Sequence, residues 1–366
     1  MIIGIDGNEA NVEKKVGVSV YTLKLLEYFQ KIASEETQFK IFLRNPPLSF
    51  LPKKNDFFTY EVVPAKILWS QIFLPIHLYF KTQIDVYFAP AHYAPRYCPF
   101  PIVVTIHDLS FFYFPNEFKK KDLFQLKNWT SYSLEIASSI IAVSKTTKKD
   151  IRHFYDLPEN RIHVVYNGFE KHVDKAKSTI MEDLNLQKNK FLLYVGTLQP
   201  RKNITILIKS FKLFQQKNPD YKLVLVGKKG WLYDSIFAEV NNQNLTNSVI
   251  FTDYIPDADV SELYKNALCF VMPSLYEGFG IPILEAMAHN CPVISSHTSS
   301  LPEIGGDACL YFDAKDEKDL LQDIERLAED SDLRRKLIQK GKERITEFSW
   351  EKSAKETLEI LKNTIN

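Results

Sequence analysis

The feature that most constrains this chain is an alternation of two periods. Short apolar runs recur between longer stretches whose apolar residues fall at helical spacing. Strands separated by helix-length crossovers return in the same direction, so the pattern implies parallel sheets with helices packed on them, an α/β fold. The strands expected in the first half are Ile2–Ile5, Phe39–Leu43, Val86–Phe88, Ile102–Ile106, Ser139–Val143 and Ile162–Val165. A helix is expected over Val18–Ala33. The pattern pauses near Gly168, and Lys171–Lys188 is polar and helix-compatible without a core stripe. A second set follows at Phe191–Val195, Lys222–Val226, Val249–Phe251, Cys269–Met272, Pro292–Ser295 and Leu310–Tyr311. A chain of 366 residues fits two domains. The boundary is placed near residue 170, giving 1–170, 171–349 and an amphipathic helix over Trp350–Leu361 within 350–366.

Composition excludes several classes. Lysine and arginine number 46 against 45 acidic residues, a net charge of +1, which gives no support to nucleic-acid binding. The four cysteines form no C-x-x-C pair and are read as free thiols in a reducing compartment. The opening MIIGIDGNEA is expected to be a strand, without the layout of a signal peptide. The most apolar run, Ile67–Phe80, is interrupted by Ser70, Gln71, Pro75 and His77 and is too short to span a bilayer. A cytoplasmic location is expected, with a peripheral membrane contact left open. Aromatic and basic residues over Phe111–Trp129 could face a lipid-linked acceptor, and a solvated helix explains them equally well. The dinucleotide fingerprint G-x-G-x-x-G is missing, which disfavours a nicotinamide-dependent enzyme, and there is no G-x-S-x-G elbow. No cluster with zinc-ligand spacing occurs, so no metal site is expected.

The chemistry concentrates in a few strand-to-helix junctions. Pro273–Ala288 reads as a strand end, the loop Tyr276-Glu277-Gly278-Phe279-Gly280, and a helix opened by Ile281 and Pro282. Glycines let backbone amides approach a ligand, and a helix start favours an anion. Glu277 and Glu285 stand at different heights around that loop, and carboxylates accept hydrogen bonds from sugar hydroxyls. Gly196-Thr197-Leu198-Gln199-Pro200-Arg201-Lys202-Asn203 follows a strand. There Arg201 can fork onto phosphate oxygens and Lys202 offers a mobile point charge, a phosphate clamp without metal. Thr105-Ile106-His107-Asp108-Leu109 ends another strand, where His107 could donate to a sugar hydroxyl or carry a proton. Ser144 is a candidate helix cap. Each of these has an ordinary structural explanation taken alone: solvated glutamates, a charged loop, a satisfied histidine.

Taken together and in order, the motifs resemble the retaining glycosyltransferases of the GT-B fold, family 4 (glycosyl transferases group 1), over nearly the whole chain. Glu277 and Glu285 match that family's E-x7-E signature, His107-Asp108 its HD element, and Gly196–Asn203 its G-x-L-x-x-R-K-N element. Many members carry Arg where this chain has Thr197, which makes Arg201 the candidate to take over that contact. The resemblance implies two Rossmann-like domains facing each other across a cleft, an acceptor-binding first domain and a nucleotide-sugar-binding second one. It implies that the last helix crosses back to the first domain. It also implies a donor site of Gly17, Gly196, Thr197, Arg201, Lys202, Tyr254, Ile255, Glu277, Gly278, Phe279, Gly280, Ile281 and Glu285. Catalysis would fall to His107, Glu277, Arg201 and Lys202, by front-face attack assisted by the leaving phosphate. Lys202→Ala is expected to cut turnover far more than stability. The opening GIDGNEA and the IHDLSFFYFP segment look most like bacterial mannosyltransferases of surface-polysaccharide pathways. That favours transfer of a hexose, mannose first, from a nucleotide-diphosphate sugar (GDP-mannose or a UDP-sugar) to a glycan or lipid-linked acceptor, with no further cofactor. A GT-B nucleotide-sugar epimerase and a non-catalytic nucleotide-sugar-binding protein are the alternatives. Asp257-Ala258-Asp259 spells D-x-D, a metal signature in the other major glycosyltransferase fold. It is read here as a capping box instead, Asp259 with Glu262 opening a helix over Ser261–Ala267.

Overall fold

The computed structural model describes residues 1–15, 17–171 and 178–365. The chain divides into two compact units. One comprises Met1–Phe111, Lys119–Gly168 and Phe348–Asn366, and the other Phe112–Phe118 and Phe169–Glu347. Each is built on an all-parallel sheet covered by helices, so each is Rossmann-like.

The first unit holds β1 (Ile2–Asp6), β2 (Gln38–Leu43), β3 (Phe58–Val62), β4 (Val86–Ala89), β5 (Ile102–Ile106), β6 (Ser139–Ala142) and β7 (Ile162–Val164), in the order β3-β2-β1-β4-β5-β6-β7. β4 and β5 are buried at every position, because helices cover both faces of the sheet. The helix Gly17–Ile32 buries Tyr21, Leu25, Leu26 and Phe29. Gly17 is thus its first residue rather than part of the preceding loop. The final helix, Trp350–Ile365, packs into this unit through Ala354, Leu358 and Leu361, which share a core with Ile3, Val86 and Phe29. The start of that helix is closely packed: a Cβ at Gly168 would lie 2.3 Å from the Trp350 backbone nitrogen.

The second unit holds β8 (Phe191–Val195), β9 (Lys222–Val226), β10 (Val249–Asp253), β11 (Cys269–Met272), β12 (Val293–Ser296) and β13 (Cys309–Phe312), in the order β10-β9-β8-β11-β12-β13. Its core runs through Leu192, Phe211, Leu225, Val271, Ile294 and Leu320.

The strand order reverses between β1 and β4 in the first unit and between β8 and β11 in the second. In open parallel sheets ligands bind beyond the carboxyl ends of the strands at such a reversal. The loops that leave β8 and β11 are therefore the places to look for a site in the second unit.

One expectation needs correction. No capping box forms at Asp259. The helix spans Asp257–Asn266 directly after Pro256, its N-cap residue. Asp259 is already in the first turn and accepts a hydrogen bond from the Ser178 hydroxyl at 2.6 Å. Two aspartates there meet the positive end of the helix, which suits them without a box. Of the Lys171–Lys188 stretch, residues 172–177 lie outside the described residues, and the remainder contributes only the short helix Ile180–Asp183. Ser144 does cap its helix, Lys145–Tyr155, accepting from the Thr147 amide at 3.0 Å.

Candidate active site

Gly196 directly follows β8, with a φ of +153° that suits glycine. A Cβ there would press on the Tyr194 hydroxyl at 2.9 Å. Gly227 directly follows the neighbouring β9, and a Cβ there would sit 2.0 Å from the Gly196 carbonyl oxygen. The two glycines let adjacent strand ends approach, and the chain then runs through exposed Thr197 into the turn Pro200–Lys202. From β11 the loop Tyr276–Gly280 is buried throughout and passes into the helix Ile281–Ala288. Gly280 is its N-cap residue, with φ +113° and no capping side chain. The Arg201–Lys202 turn and this loop thus flank the β8/β11 reversal.

They are also fastened to each other. The Leu275 amide donates to the Arg201 carbonyl at 2.9 Å, and the Arg201 guanidinium donates back to the Tyr276 carbonyl at 2.6 Å. Lys202 Nζ meets Glu277 Oε1 at 2.5 Å, and Arg201 lies 3.7 Å from Glu277 Oε2. Lys202 is only 16% exposed and Glu277 12%. Burial alone would raise the Glu277 pKa, but the charges of Lys202 and Arg201 outweigh it, and the carboxyl titrates below its ordinary value. The mobile lysine expected from the sequence is therefore a buried ion-pair partner, so its removal is expected to lower stability.

A serine-rich segment after β12 holds the loop from the other side. The buried Ser300 hydroxyl lies 2.9 Å from the Glu277 carbonyl and 2.8 Å from that of Phe279, and the Glu277 amide donates to Ser299 Oγ at 2.8 Å. Glu285, a turn into the helix, accepts from the Tyr264 hydroxyl at 3.2 Å. Tyr254 and Ile255 follow β10, Tyr254 exposed with Lys228 Nζ 4.7 Å from its ring centre.

The segment Phe112–Phe118 packs with this unit. Tyr113 lies against Tyr276, ring centres 5.1 Å apart. Burial raises the Glu117 pKa while the Arg201 backbone and the charges of Arg201 and Lys202 oppose it, so this carboxyl belongs to the same electrostatic cluster.

In the first unit, Gly17 is exposed, and a Cβ placed on it would meet no atom within 4 Å. His107 follows β5. Its Nε2 lies 2.8 Å from the Pro90 carbonyl, fixing the proton on that nitrogen, and its backbone amide donates to His92 Nε2 at 3.0 Å. The two imidazoles stack with centres 5.7 Å apart. Burial, then His92, lowers the His107 pKa to about 4, so the ring is neutral near pH 7. His92 itself follows β4 at the β1/β4 reversal, with a left-handed backbone (φ +58°) and a buried Nδ1 without a hydrogen-bond partner. Asp6, ending β1 there, has its pKa raised by burial to about 6. Sequence reading missed His92, Ser300 and Glu117; the strand-end position of His92 in PAHYAP was the one signal available.

Two family models divide the chain between them. Residues 17–172 match Glycosyltransferase Family 4, and residues 176–344 match Glycosyl transferases group 1. The chain belongs to these glycosyltransferases. Its curated relatives include O-antigen chain mannosyltransferase B of Escherichia coli, 31% identical over 76% of this chain and 74% of that protein. O-antigen chain mannosyltransferase RfbU of Salmonella typhimurium is 31% identical over 61% of each. Among solved structures, Anabaena Alr3699/HepE in complex with UDP and glucose superposes with a TM-score of 0.74 at 17% identity, covering 99% of both chains. The fold is that of the GT-B glycosyltransferases.

Proposed function

We propose that this glycosyltransferase is a metal-independent, retaining mannosyltransferase that uses GDP-mannose and extends a glycan or lipid-linked acceptor. The observation that carries this reading is the pair Arg201–Lys202, joined to Glu277 at the β8/β11 reversal beside an uncapped helix start. Two cations and a helix N-terminus suit a diphosphate, with no metal needed to neutralise it. As the bond from the sugar to the diphosphate breaks, negative charge grows on the departing oxygen, where Arg201 and Lys202 stabilise it. One such donor can contribute about 3 kcal/mol to the barrier. The acceptor hydroxyl bonds to the anomeric carbon from the same face and gives its proton to the departing phosphate oxygen. Glu285 is assigned to the ribose hydroxyls, and Glu277 with the Phe279–Gly280 backbone to the sugar hydroxyls. The Tyr254–Ile255 backbone is assigned to the base. His107, neutral near pH 7, is assigned a hydrogen bond to the sugar rather than proton transfer.

The mannosyltransferase relatives support mannose as the sugar. A UDP-sugar donor is the second reading, favoured by the UDP-bound structural neighbour. A thermal-shift panel of GDP, UDP, ADP and NAD, with and without magnesium, decides between them. Stabilisation by GDP that is independent of magnesium is expected. A UDP-specific shift moves the assignment to the second reading. A requirement for magnesium, or no shift with any diphosphate, refutes the clamp.

A further inference from the structure

The most apolar run of the sequence plays no part in the proposed chemistry. It forms a wide helical turn, Trp69–Phe73, that continues directly into the helix Leu74–Phe80. Together they run roughly 18 Å, well short of a bilayer's hydrocarbon core. One face belongs to the first unit: Trp69, Leu74, Pro75 and Leu78 are buried, and the Trp69 indole donates to the Val63 carbonyl at 2.8 Å.

The opposite face is equally apolar and stands in solvent. Ile67 is 70% exposed, Ile76 53%, Tyr79 56% and Phe80 81%, with Ile72 and Phe73 close to half exposed. A soluble surface helix puts polar residues on its outer face, and one apolar on both faces needs a second apolar medium. The charges within the segment itself have one sign. From residue 66 to residue 81 the only lysines are Lys66 and Lys81, at the two ends and both exposed, and there is no aspartate, glutamate or arginine. His77 turns away to Glu61. A further exposed aromatic, Tyr97, stands beside the segment, because Arg96 donates to Ser70 O and to Gln71 Oε1, each at 3.0 Å.

We propose that this face docks the chain on an anionic lipid bilayer. The short helix lies in the interface plane with Ile76, Phe80 and their neighbours at the boundary of headgroups and acyl chains. Lys66 and Lys81 meet the anionic headgroups, and Tyr79 and Tyr97 sit at the level where amphipathic rings collect. A second copy of the chain fits less well. A two-fold contact sets the patch against itself, and its lysine ends find no carboxylate within the patch. The proposal is independent of which donor the enzyme uses.

Vesicle sedimentation of the full chain tests it, with phosphatidylcholine alone and phosphatidylcholine mixed with phosphatidylglycerol. Binding to the mixed vesicles is expected, weakening as salt is raised. The pair Ile76→Asp and Phe80→Asp is expected to lower partitioning by about tenfold or more, and Lys66→Glu with Lys81→Glu to abolish the preference for anionic lipid. Thermal unfolding of each variant confirms that it folds, and light scattering reports its oligomeric state. The proposal is overturned if the wild-type chain ignores the anionic vesicles, or if the aspartate pair binds them as well as the wild type does. A solution dimer dissolved by those aspartates overturns it in favour of a second copy.

Discussion

Lys202→Met separates the structural role of the cation pair from its proposed chemical one. At an effective dielectric of about 20, Lys202 at 2.5 Å attracts the Glu277 carboxylate by about 7 kcal/mol, and Arg201 at 3.7 Å by about 4 kcal/mol. Most of that gross attraction offsets the burial of the charges, so the net loss on removing one partner is about 3–5 kcal/mol. Because Arg201 remains, the lower end applies, and a fall of roughly 6–12 °C in the melting temperature follows. The pH dependence carries a sign. In the wild type the Glu277 pKa is held below its ordinary 4.5, so the carboxylate stabilises the fold above that value and the contribution is lost as pH falls through the folded pKa. In the variant the larger opposing charge is gone, burial wins, and the pKa rises. The variant is then weakest at neutral pH and recovers relative to the wild type as acid neutralises Glu277. Urea unfolding of both proteins at pH 7 and near pH 4.5 measures the gap, which should be widest at pH 7. Lys202→Met combined with Glu277→Gln should recover much of the stability but not nucleotide binding. A loss below about 1 kcal/mol, or a gap that does not change with pH, refutes the buried-pair argument.

Ser300→Ala removes the hydroxyl between the Glu277 and Phe279 carbonyls; it should cost about 1–3 kcal/mol in urea unfolding and raise the Kd for the nucleotide. His92→Phe takes away the acceptor for the His107 amide, whereas His92→Gln keeps an acceptor in reach. Turnover should fall in the first and be restored in the second, at similar secondary structure by circular dichroism. With the His107 pKa lowered from 6.5 to about 4, the unfolded chain binds more protons between those values, so this residue makes stability rise with pH across that window. His107→Gln should flatten that part of the stability profile, and wild-type turnover should show no limb from His107 between pH 5 and pH 8.

The sequence displayed the fold wherever a strand is buried on both faces. IVVTI and VYFA are continuous apolar runs because helices cover them on each side. β3 escaped for the opposite reason. It is the edge strand, FTYEV, only its first residue is buried, and its glutamate breaks the run. The capping box failed because D-x-x-E has the same spacing whether the aspartate precedes a helix or sits in its first turn. The place of Phe112–Phe118 in the second unit left no periodic signal, since it depends on contacts such as Tyr113 with Tyr276 that are far apart in sequence.

The candidate site was legible in its residue types and not in its pairings. Arg201, Lys202, Glu277 and Gly280 stand out because they fall at strand-to-helix junctions, where glycines let the backbone approach a ligand and a helix start favours an anion. Motif reading then gave the cations to phosphate and the carboxylate to sugar as separate tasks. In the fold the strand reversal puts the β8 and β11 loops side by side, and the three side chains become one buried cluster. A diphosphate entering there competes with Glu277 for Lys202, and a sugar hydroxyl reaching Glu277 competes with Lys202 in turn. On the proposed assignment, donor binding at this site would be an exchange of ion-pair partners. Glu277→Gln, which removes the competing charge, should tighten binding of the bare nucleoside diphosphate while weakening discrimination for the sugar attached to it. Calorimetry with the diphosphate and with the intact donor measures both. If the substitution weakens the diphosphate as much as the intact donor, Glu277 is not a competitor for Lys202 and the exchange is refuted.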